Sequence, residues 1–330
     1  MLKWGILGCA AIADQHMIRA MQRSSNGELL AIASRQAEKA KALADKHGIP
    51  RHYGSYAALL ADPDIDAVYI PLPNHLHCEW TVRAAEAGKH VLCEKPFAMN
   101  AGEAARMAEA CSVANVRLSE AFMYRHQPRY ERARALIASG AIGEVRGLAG
   151  WFTFDLSDRE GDVRFRPELG GGAVFDSGCY AISGARLLLG SEPEAITVHA
   201  YFSERHGGVD MMNAALLEFP NGVGATLQFG MWCDGRNEIQ VLGSNGSIVV
   251  PTAFYNEPPA VTRLIVNSQG SRIEETFEAA NHYTLQVEDF ANCVRGGAEP
   301  RFPAADAVAN MRVLDAAALS SRNRCRAAIP

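Results

Sequence analysis

The sequence predicts an α/β protein in which a doubly wound parallel sheet is followed by an α+β domain with a large, open, mostly antiparallel sheet. Strand and helix patterns alternate over roughly the first 120 residues, and repeated strand–helix–strand units are typical of parallel sheets. Long strand patterns then follow one another through short turns, which indicates antiparallel pairing. The change of pattern near residue 121 predicts a domain boundary there.

The first domain is predicted to contain strands joined by amphipathic helices. Each unit is a short apolar run, bounded by turn residues, followed by a helical periodicity. The predicted strands are Lys3–Leu7, Leu29–Ser34, Ala67–Ile70, His90–Cys93 and Arg117–Ala121. The first predicted helix ends at about Gln22, and the others are Ala37–His47, His75–Ala87 and Ala101–Ala114.

The second domain is predicted to mix long strands with a few helices. Phe219–Val223 and Gly243–Ser247 carry the Asn-Gly and Gly-Ser signals of hairpins. The other elements are helix Pro128–Ser139, strand Glu144–Asp155, helix Val174–Leu189, strands from Ile196 to about Val250, and helices Thr284–Arg295 and Ala304–Arg322.

We therefore predict a nucleotide-binding domain over residues 1–121 and a substrate-binding and dimerisation domain over residues 122–330, with one large domain as the alternative. The last helices could pack back on the first domain. A long antiparallel sheet needs its outer face covered, and a homodimer or higher homo-oligomer through that face would cover it.

Composition excludes several classes of function. The 330 residues are 48% hydrophobic and carry a formal charge of −5 without a long basic run, which argues against nucleic acid as a partner. No apolar stretch approaches the roughly 20 residues needed to cross a bilayer, and the first residues show no secretory signal, so we expect no membrane association and a cytoplasmic location. The eight cysteines form no C-x-x-C pair and are expected to be reduced.

The turn after the first strand resembles a dinucleotide-binding fingerprint. Gly8, Ala10 and Ala13 occupy the positions of the three glycines in G-x-G-x-x-G. Two of the three glycines are missing, so an ordinary strand–turn–helix connection is the alternative. The location of the turn between the first strand and the first helix favours a nucleotide site built on Gly8, Ala10, Ala11 and Ile12.

The end of the second strand indicates which dinucleotide binds. NAD-specific proteins usually place a carboxylate here to hold the ribose 2′-hydroxyl. This chain has Ser34 and Arg35 instead, and Lys39 lies one helical turn further on. A hydroxyl and a guanidinium suit a 2′-phosphate, so we predict NADP rather than NAD. The alternative is that Arg35 is an ordinary solvated surface residue.

Lys95 is a candidate catalytic cation. His90–Cys93 reads as a buried strand and leads into Glu94, Lys95 and Pro96. Proline ends the strand and holds the preceding residue extended, and ligands of open parallel sheets lie beyond the carboxyl ends of the strands. An ion pair between Lys95 and Glu94 is the alternative role for this side chain.

Asp176 and Tyr180 form a second candidate pair. They lie four residues apart on the helix after Gly170-Gly171-Gly172, and side chains at this spacing share one face. A helix-capping aspartate and a core tyrosine are the alternative. A free phenol has a pKa near 10, but an ammonium ~4 Å away would lower it by about one to two units. We therefore expect Tyr180 to be the acid/base and Lys95 its neighbour.

Several further residues are predicted to line the same site. Those expected near the nicotinamide follow other strand ends, whereas the expected substrate contacts are aromatic or polar. His75, His77 and Cys78 superficially resemble metal ligands, but no matching set appears elsewhere, so we predict no metal. The cofactor contacts are Pro71, Leu72, Asn74, His77, Glu94, Lys95, Met123 and Arg166, and the substrate contacts are Lys95, Phe154, Arg164, Asp176, Tyr180 and Tyr283.

Taken together, these motifs resemble the glucose–fructose oxidoreductase / inositol dehydrogenase / MocA family over the whole chain. They are the opening turn, Glu94-Lys95-Pro96, the run Glu120–His126, and Gly170–Asp176. The resemblance implies a Rossmann domain followed by an open antiparallel sheet, often with dimerisation through that sheet. The family lysine matches Lys95, and the family aspartate matches Asp176.

One departure from the family pattern narrows the expected function. Many members carry histidine four residues after the aspartate, whereas this chain has Tyr180. That tyrosine, together with Ser34 and Arg35, is similar to the NADP-dependent D-xylose 1-dehydrogenase and dimeric trans-dihydrodiol dehydrogenase subgroup. The resemblance therefore implies an NADP-dependent oxidation of an aldose such as D-xylose at C1. The alternatives are a dihydrodiol dehydrogenase, an NADPH-dependent reductase of a sugar carbonyl, and a non-catalytic NADP-sensing regulator.

Overall fold

The computed structural model describes residues 1–330 as two compact units. The N-terminal unit comprises Met1–His126 and Asn281–Val308, and the C-terminal unit comprises Gln127–Ala280 and Ala309–Pro330. The first unit thus extends to His126 and includes a helix from near the end of the chain. None of the helices combines the length and apolar character that a membrane span requires.

The N-terminal unit is built on a parallel sheet of six strands in the order β3-β2-β1-β4-β5-β6. The order reverses between β1 and β4, where doubly wound sheets bind their ligands. The strands are β1 (Leu2–Leu7), β2 (Gly27–Ala33), β3 (Arg51–Tyr53), β4 (Ala67–Ile70), β5 (His90–Cys93) and β6 (Leu118–Glu120).

Helices connect these parallel strands, as the crossovers of such a sheet require. The first connection begins with a π-helical turn over Ala13–Met17. The helices are α1 (Ile18–Arg23), α2 (Ala37–His47), α3 (Tyr56–Leu60), α4 (His77–Glu86) and α5 (Ala101–Val113), and α8 (His282–Gly296) completes the unit.

Helix α8 belongs to this unit because it packs on β1 and on the loop before β2. Trp4 of β1 is fully buried, and its ring centroid lies 5.5 Å from that of Phe290 on α8. Ser25 donates hydrogen bonds from its backbone N–H and its hydroxyl to the Glu288 carboxylate, each at 2.8 Å. Burial of large aromatic side chains stabilises this contact by a few kcal/mol, on the order of 1.5–3 kcal/mol per side chain.

The C-terminal unit contains a mixed sheet of nine strands in the order β14-β13-β12-β11-β7-β10-β9-β8-β15. All neighbours are antiparallel except β7 and β10. The strands are β7 (Val145–Asp155), β8 (Ala195–Ser203), β9 (Val209–Glu218), β10 (Gly224–Gly230), β11 (Trp232–Gly243), β12 (Gly246–Pro251), β13 (Ala260–Ser268), β14 (Ser271–Ala280) and β15 (Arg326–Ala328).

Three helices accompany this sheet: α6 (Pro128–Ala138), α7 (Cys179–Leu189) and α9 (Ala304–Asn323). Helix α7 is preceded by a second π-helical turn, Val174–Gly178. Arg129 of α6 is fully buried and donates hydrogen bonds to the backbone carbonyls of Pro251 at 2.6 Å and Thr252 at 2.7 Å. These bonds satisfy the buried guanidinium and fix the segment that follows β12.

The predicted fold class is confirmed, with differences in detail. Both predicted hairpins are present, at the β9–β10 and β11–β12 connections. The prediction missed β3, α3, the β13–β14 hairpin and β15, which are short, polar or far from an alternating apolar pattern. It also did not foresee the parallel β7–β10 pair, because strands that are not neighbours in sequence carry no local signal for their pairing.

Candidate active site

The predicted cofactor residues of the N-terminal unit lie at one edge of its parallel sheet. They follow the carboxyl ends of β1, β2, β4, β5 and β6, and these ends meet at the same edge because the strands are parallel. Gly8, Ala10, Ala11 and Ile12 follow β1, and Ser34, Arg35 and Lys39 follow β2. Pro71, Leu72, Asn74 and His77 follow β4, Glu94 and Lys95 follow β5, and Met123 follows β6.

The turn after β1 has the backbone geometry that a close ligand approach requires. Gly8 adopts φ +127°, which disfavours any residue with a side chain. A Cβ at Gly8 would also approach the Leu72 side chain to 3.0 Å. The Gly8 N–H donates to the Ala33 carbonyl at 2.9 Å, so the turn is fixed against β2. The glycine is therefore needed for its conformation and for the narrow space between the β1 and β4 loops.

The residues after β2 form a polar cluster beside this turn. Ser34 is buried, and its Oγ accepts from the Gln36 N–H at 3.1 Å. The cluster also acts on the neighbouring Cys9. Burial raises the pKa of the Cys9 thiol, whereas the Ser34 hydroxyl and the Lys39 ammonium act to lower it. Arg35 is exposed. Burial raises the pKa of the Tyr56 hydroxyl, whereas the nearby Arg35 guanidinium acts to lower it. Two cations and a hydroxyl thus follow the end of β2, and such groups suit a phosphate.

His77 joins the loop after β4 to the turn after β5. Its ring is fully buried and lies within hydrogen-bonding distance of two backbone carbonyls, Pro96 O at 2.9 Å from Nδ1 and Leu72 O at 2.7 Å from Nε2. Burial outweighs these acceptors and lowers the pKa of His77 to about 4. The ring is therefore engaged with the backbone, which differs from the predicted contact between His77 and the nicotinamide.

The turn after β5 carries Lys95 beside an anchored carboxylate. Glu94 accepts from the Tyr69 hydroxyl at 2.6 Å and from the Lys95 backbone N–H at 3.1 Å. Lys95 and Glu94 are both half-buried, and Pro96 is buried. Because the carboxylate and the His77 ring hold the backbone on both sides of Lys95, the base of this side chain is fixed at the sheet edge.

Two predicted contacts of this unit prove to be well packed. Met123 is 3% exposed in the short turn after β6. Tyr283 of α8, predicted as a substrate contact, is also 3% exposed, and its ring stacks on His16 of the first π-helical turn at 5.0 Å between centroids. Tyr283 is therefore part of the packing between α8 and the helix that follows the nucleotide-binding turn.

In the C-terminal unit, Asp176 and Tyr180 lie at the start of α7. The π-helical turn Val174–Gly178 contains Asp176, whose N–H donates to the Gly172 carbonyl at 3.0 Å. Single π turns inside helices occur frequently at functional sites, because the extra residue reorients the side chains around it. Tyr180 is 7% exposed in the first turn of α7.

Aromatic rings surround the Tyr180 side chain. The Tyr180 ring centroid lies 5.2 Å from that of Phe152 and 6.2 Å from that of Phe254. Phe152 also contacts Phe154, at 5.6 Å and an interplanar angle of 73°. Phe254 follows the backbone segment that Arg129 holds, and its N–H donates to Asn237 Oδ1 at 2.8 Å. The phenol is thus oriented by rings that come from separate parts of the unit.

Arg164 connects Asp176 to the loop before α7. Its Nε donates to Asp176 Oδ2 at 2.9 Å, and its Nη1 donates to both Asp162 carboxylate oxygens at 3.2 and 3.1 Å. The neighbouring Asp176 raises the pKa of the Arg164 guanidinium, which stays charged. Two carboxylates therefore share one guanidinium. Arg166, a predicted cofactor contact, is exposed and pairs with Glu168 at 2.9 Å.

No group of three or more histidine, cysteine, aspartate or glutamate side chains is arranged to hold a metal ion. The N-terminal unit instead fits a dinucleotide. The positive φ of Gly8 and its close approach to Leu72 leave room for backbone next to a pyrophosphate, and the cluster of Ser34, Arg35 and Lys39 supplies donors for a phosphate.

Sequence reasoning missed several residues that support the candidate site. Tyr56 lies near Arg35, Phe254 packs against Tyr180, and Asp210 accepts a hydrogen bond from the start of the helix that carries Asp176. Asp210 had a detectable signal, since it is a lone acidic residue in the apolar run Val209–Met212. Tyr56 and Phe254 had none, because their roles depend on contacts between segments distant in sequence.

Comparison with known proteins connects this geometry to a family. Residues 2–122 match the model described as "Oxidoreductase family, NAD-binding Rossmann fold", and residues 130–249 match the GFO/IDH/MocA C-terminal domain. A D-xylose 1-dehydrogenase (NADP(+)) from Haloferax volcanii is 42% identical, with 96% of each chain covered. A trans-1,2-dihydrobenzene-1,2-diol dehydrogenase from Xenopus tropicalis is 32% identical, with 82% of this chain and 81% of the relative covered.

Solved structures of related oxidoreductases resemble this chain over nearly its full length. A 3-ketoreductase from Actinomadura kijaniata, crystallised with NADP and TDP-benzene, has a TM-score of 0.90 and 32% identity over 97% of both chains. That ketoreductase has also been crystallised as variants in which one lysine is replaced by alanine and one tyrosine by phenylalanine.

Proposed function

Because this chain belongs to the GFO/IDH/MocA family of oxidoreductases, we propose that it is an NADP-dependent dehydrogenase that oxidises an aldose such as D-xylose at C1. The observation that carries the proposal is that each unit contains its own fixed group of functional residues. One is the cluster of Ser34, Arg35 and Lys39, which suits NADP. The other is the aromatic-lined Tyr180 next to the paired Asp176.

In the proposed reaction, Tyr180 accepts the proton of the sugar C1 hydroxyl while Lys95 donates a hydrogen bond to the same oxygen. NADP, when bound, supplies the acceptor for the hydride at C4 of its nicotinamide. The sugar loses two electrons and two hydrogens and becomes a lactone, and the proton passes from Tyr180 to solvent. Asp176, held by Arg164, orients the substrate by accepting from its hydroxyls.

The charge near Asp176 supports an uncharged sugar over a nucleotide-linked one. The Arg164 guanidinium is already shared by Asp162 and Asp176, so it is not available to neutralise a diphosphate. A diphosphate would compete with these two carboxylates for the one guanidinium, whereas an uncharged sugar would not. This favours the xylose-type activity over the reduction of a TDP-linked ketosugar, the substrate type suggested by the ketoreductase with TDP-benzene.

Oxidation of a trans-dihydrodiol is the second candidate. The relative from Xenopus tropicalis supports it, and so does the aromatic wall of Phe152, Phe154 and Phe254, which suits a flat apolar ring as well as the apolar face of a sugar. A dihydrodiol lacks the several hydroxyls of an aldose, so it would make fewer hydrogen bonds to Asp176.

An absorbance assay at the NADPH band tests these proposals. D-xylose and other aldoses, inositols, a trans-dihydrodiol and a TDP-linked ketosugar are each supplied with NADP or NADPH. We expect the highest kcat/KM with an aldose and NADP. A higher value with the dihydrodiol would support the second candidate, and turnover of the TDP-linked sugar alone would refute the charge argument.

We further propose a homodimer through the outer face of the nine-stranded sheet. Large apolar side chains are exposed on strands of this sheet, including Tyr201 at 47%, Leu216 at 44% and Leu242 at 41%. Tyr201 also stacks on Trp232, which is 45% exposed, at 4.4 Å between ring centroids, and contiguous exposed apolar surface often marks a protein–protein interface. A second copy of the chain is the proposed occupant, because a sheet face of this chain can pair with the same face across a two-fold axis.

A further inference from the structure

A buried carboxylate lies behind the helix that carries Asp176 and Tyr180. Asp210 of β9 is 8% exposed within the apolar run Val209–Met212. Its Oδ2 accepts from the Val174 backbone N–H at 2.7 Å and from Asn213 Nδ2 at 2.7 Å. Val174 is the first residue of the π-helical turn, so Asp210 provides an acceptor to a backbone donor at the start of this helix.

The other carboxylate oxygen of Asp210 lies against the glycine-rich turn. Gly172 adopts φ +110°, and a Cβ built on it would lie 2.2 Å from Asp210 Oδ1. The same Gly172 accepts the Asp176 N–H on its carbonyl at 3.0 Å. Asp210 therefore lies against Gly172 and accepts from Val174, on either side of Ala173, and Asp176 follows Val174 by two residues.

The surroundings of Asp210 do not favour an ionised group. Ala173, Val209, Met211 and Met231 form a buried apolar cluster around this part of the unit. Burial raises the pKa of Asp210 to about 6, although Asn213, the Val174 N–H and the charge of Arg322 oppose the shift. An apolar side chain here would avoid that desolvation, but it would leave the Val174 N–H and the Asn213 amide without this acceptor, so the carboxylate serves to hold the start of the helix.

We propose that Asp210 is a positioning residue that fixes the first turn of this helix, and with it the Asp176 carboxylate and the Tyr180 hydroxyl. The inference rests on the roles of these two residues in the proposed function. A carboxylate at a helix N-terminus satisfies an orphan N–H and interacts favourably with the helix dipole. Reacting groups have to be held within about 0.5 Å of their productive positions, and Asp210 supplies that support from outside the site.

Replacement of Asp210 tests the inference because it should lower kcat and leave the KM for NADP almost unchanged. In Asp210→Ala we expect kcat with the best aldose to fall about 10- to 100-fold, while the KM for NADP stays within about twofold, because Ser34, Arg35 and Lys39, the residues proposed to select NADP, lie in the N-terminal unit. Asp210→Asn keeps an acceptor for the Val174 N–H and is expected to recover most of the lost kcat. The matched control is Asn100→Ala, which removes the side chain that accepts from Glu103 N–H at 2.9 Å and caps α5.

A double-mutant cycle tests the contact between Asp210 and Gly172. The Gly172→Ala variant would force a methyl group against the carboxylate, and its positive φ adds backbone strain. In the Asp210→Ala background the added methyl group no longer meets a carboxylate, whereas the backbone strain from the positive φ at residue 172 is unchanged. We therefore expect the loss of kcat in the double variant to be smaller than the product of the two single losses. Simple multiplication of the two losses would contradict the contact.

Hydrogen exchange provides a readout that needs no substrate. Loss of the Asp210 carboxylate is expected to raise amide exchange over residues 174–180, with little change elsewhere in the C-terminal unit. Unchanged exchange in this segment, or a kcat equal to that of Asn100→Ala, would overturn the inference. These results are distinguishable from failure of the proposed function, in which the unmodified enzyme turns over no sugar or Tyr180→Phe retains full activity.

Discussion

Replacement of Arg35 should convert cofactor preference without damaging the fold. The side chain is exposed at the end of β2 and lies near the Tyr56 hydroxyl. We propose that it binds the 2′-phosphate of NADP, together with the neighbouring Ser34 and Lys39. Arg35→Ala removes a charged donor from the surface and leaves the buried Ser34 hydroxyl, which accepts from the Gln36 N–H, in position.

The expected size of the effect follows from the chemistry of the contact. A hydrogen bond from a guanidinium to an anionic oxygen contributes roughly 1.5–3 kcal/mol. At ~1.4 kcal/mol for each tenfold change, kcat/KM for NADP should fall about 10- to 150-fold in Arg35→Ala. NAD carries no 2′-phosphate, so its kcat/KM should change by no more than about twofold. The ratio of the two values is therefore the quantity to measure.

Steady-state kinetics with each cofactor at a fixed sugar concentration provide the assay. Lys41→Ala is the matched control, because Lys41 is a cation of the adjacent helix α2 that pairs with Asp45 at 2.7 Å. The loss in Arg35→Ala should also shrink as salt is added, since screening weakens exposed charge contacts. An unchanged NADP/NAD ratio, or an equal change in Lys41→Ala, would refute the assignment of Arg35.

Three further predictions address other parts of the molecule. His77 should destabilise the fold in acid. Its folded pKa of about 4 lies below the ordinary 6.5, so the unfolded chain binds more protons between these values and stability rises with pH. Between pH 7 and pH 5 this costs roughly 2 kcal/mol, and His77→Gln should flatten that part of the urea-unfolding profile. Arg164→Gln should raise the KM for an aldose about tenfold, because it releases Asp176. The control Arg205→Gln removes an exposed ion pair and should leave this KM unchanged. Equal effects of the two substitutions would contradict the role of Arg164. Leu216→Glu should yield monomers by light scattering, and a mass unchanged from the unmodified protein would exclude the proposed face.

Much of the fold follows from periodicity and turn chemistry. The buried run His90–Cys93 and the alternation of strands with helices predicted the parallel sheet, and Asn221-Gly222 predicted the β9–β10 hairpin, where Asn221 adopts φ 62°. These features are local, so the sequence carries them directly. The pairing of β7 with β10 is not local, because its register depends on which strands meet after the chain has folded.

The candidate site was predictable as a set of residue types and less so as a geometry. Lys95, Asp176 and Tyr180 were chosen from chemistry and spacing, whereas the two π-helical turns, Ala13–Met17 and Val174–Gly178, have no sequence signature. His77 illustrates the limit. A histidine after a strand end suggests a ligand contact, but whether its ring faces the cofactor or two backbone carbonyls is decided by the packing of distant loops.

Turnover by Lys95→Met and Tyr180→Phe, measured with NADP and the best aldose, is the most direct test of proton and hydride transfer at this site. Tyr53→Phe is the control, because it removes a half-buried hydroxyl that donates to Asp62 at 2.7 Å and has no assigned part in the chemistry. We expect kcat to fall about 100- to 10,000-fold in each of the first two variants, with NADP still bound, and to stay unchanged in the control. Full turnover in both variants would show that these side chains do not carry the chemistry.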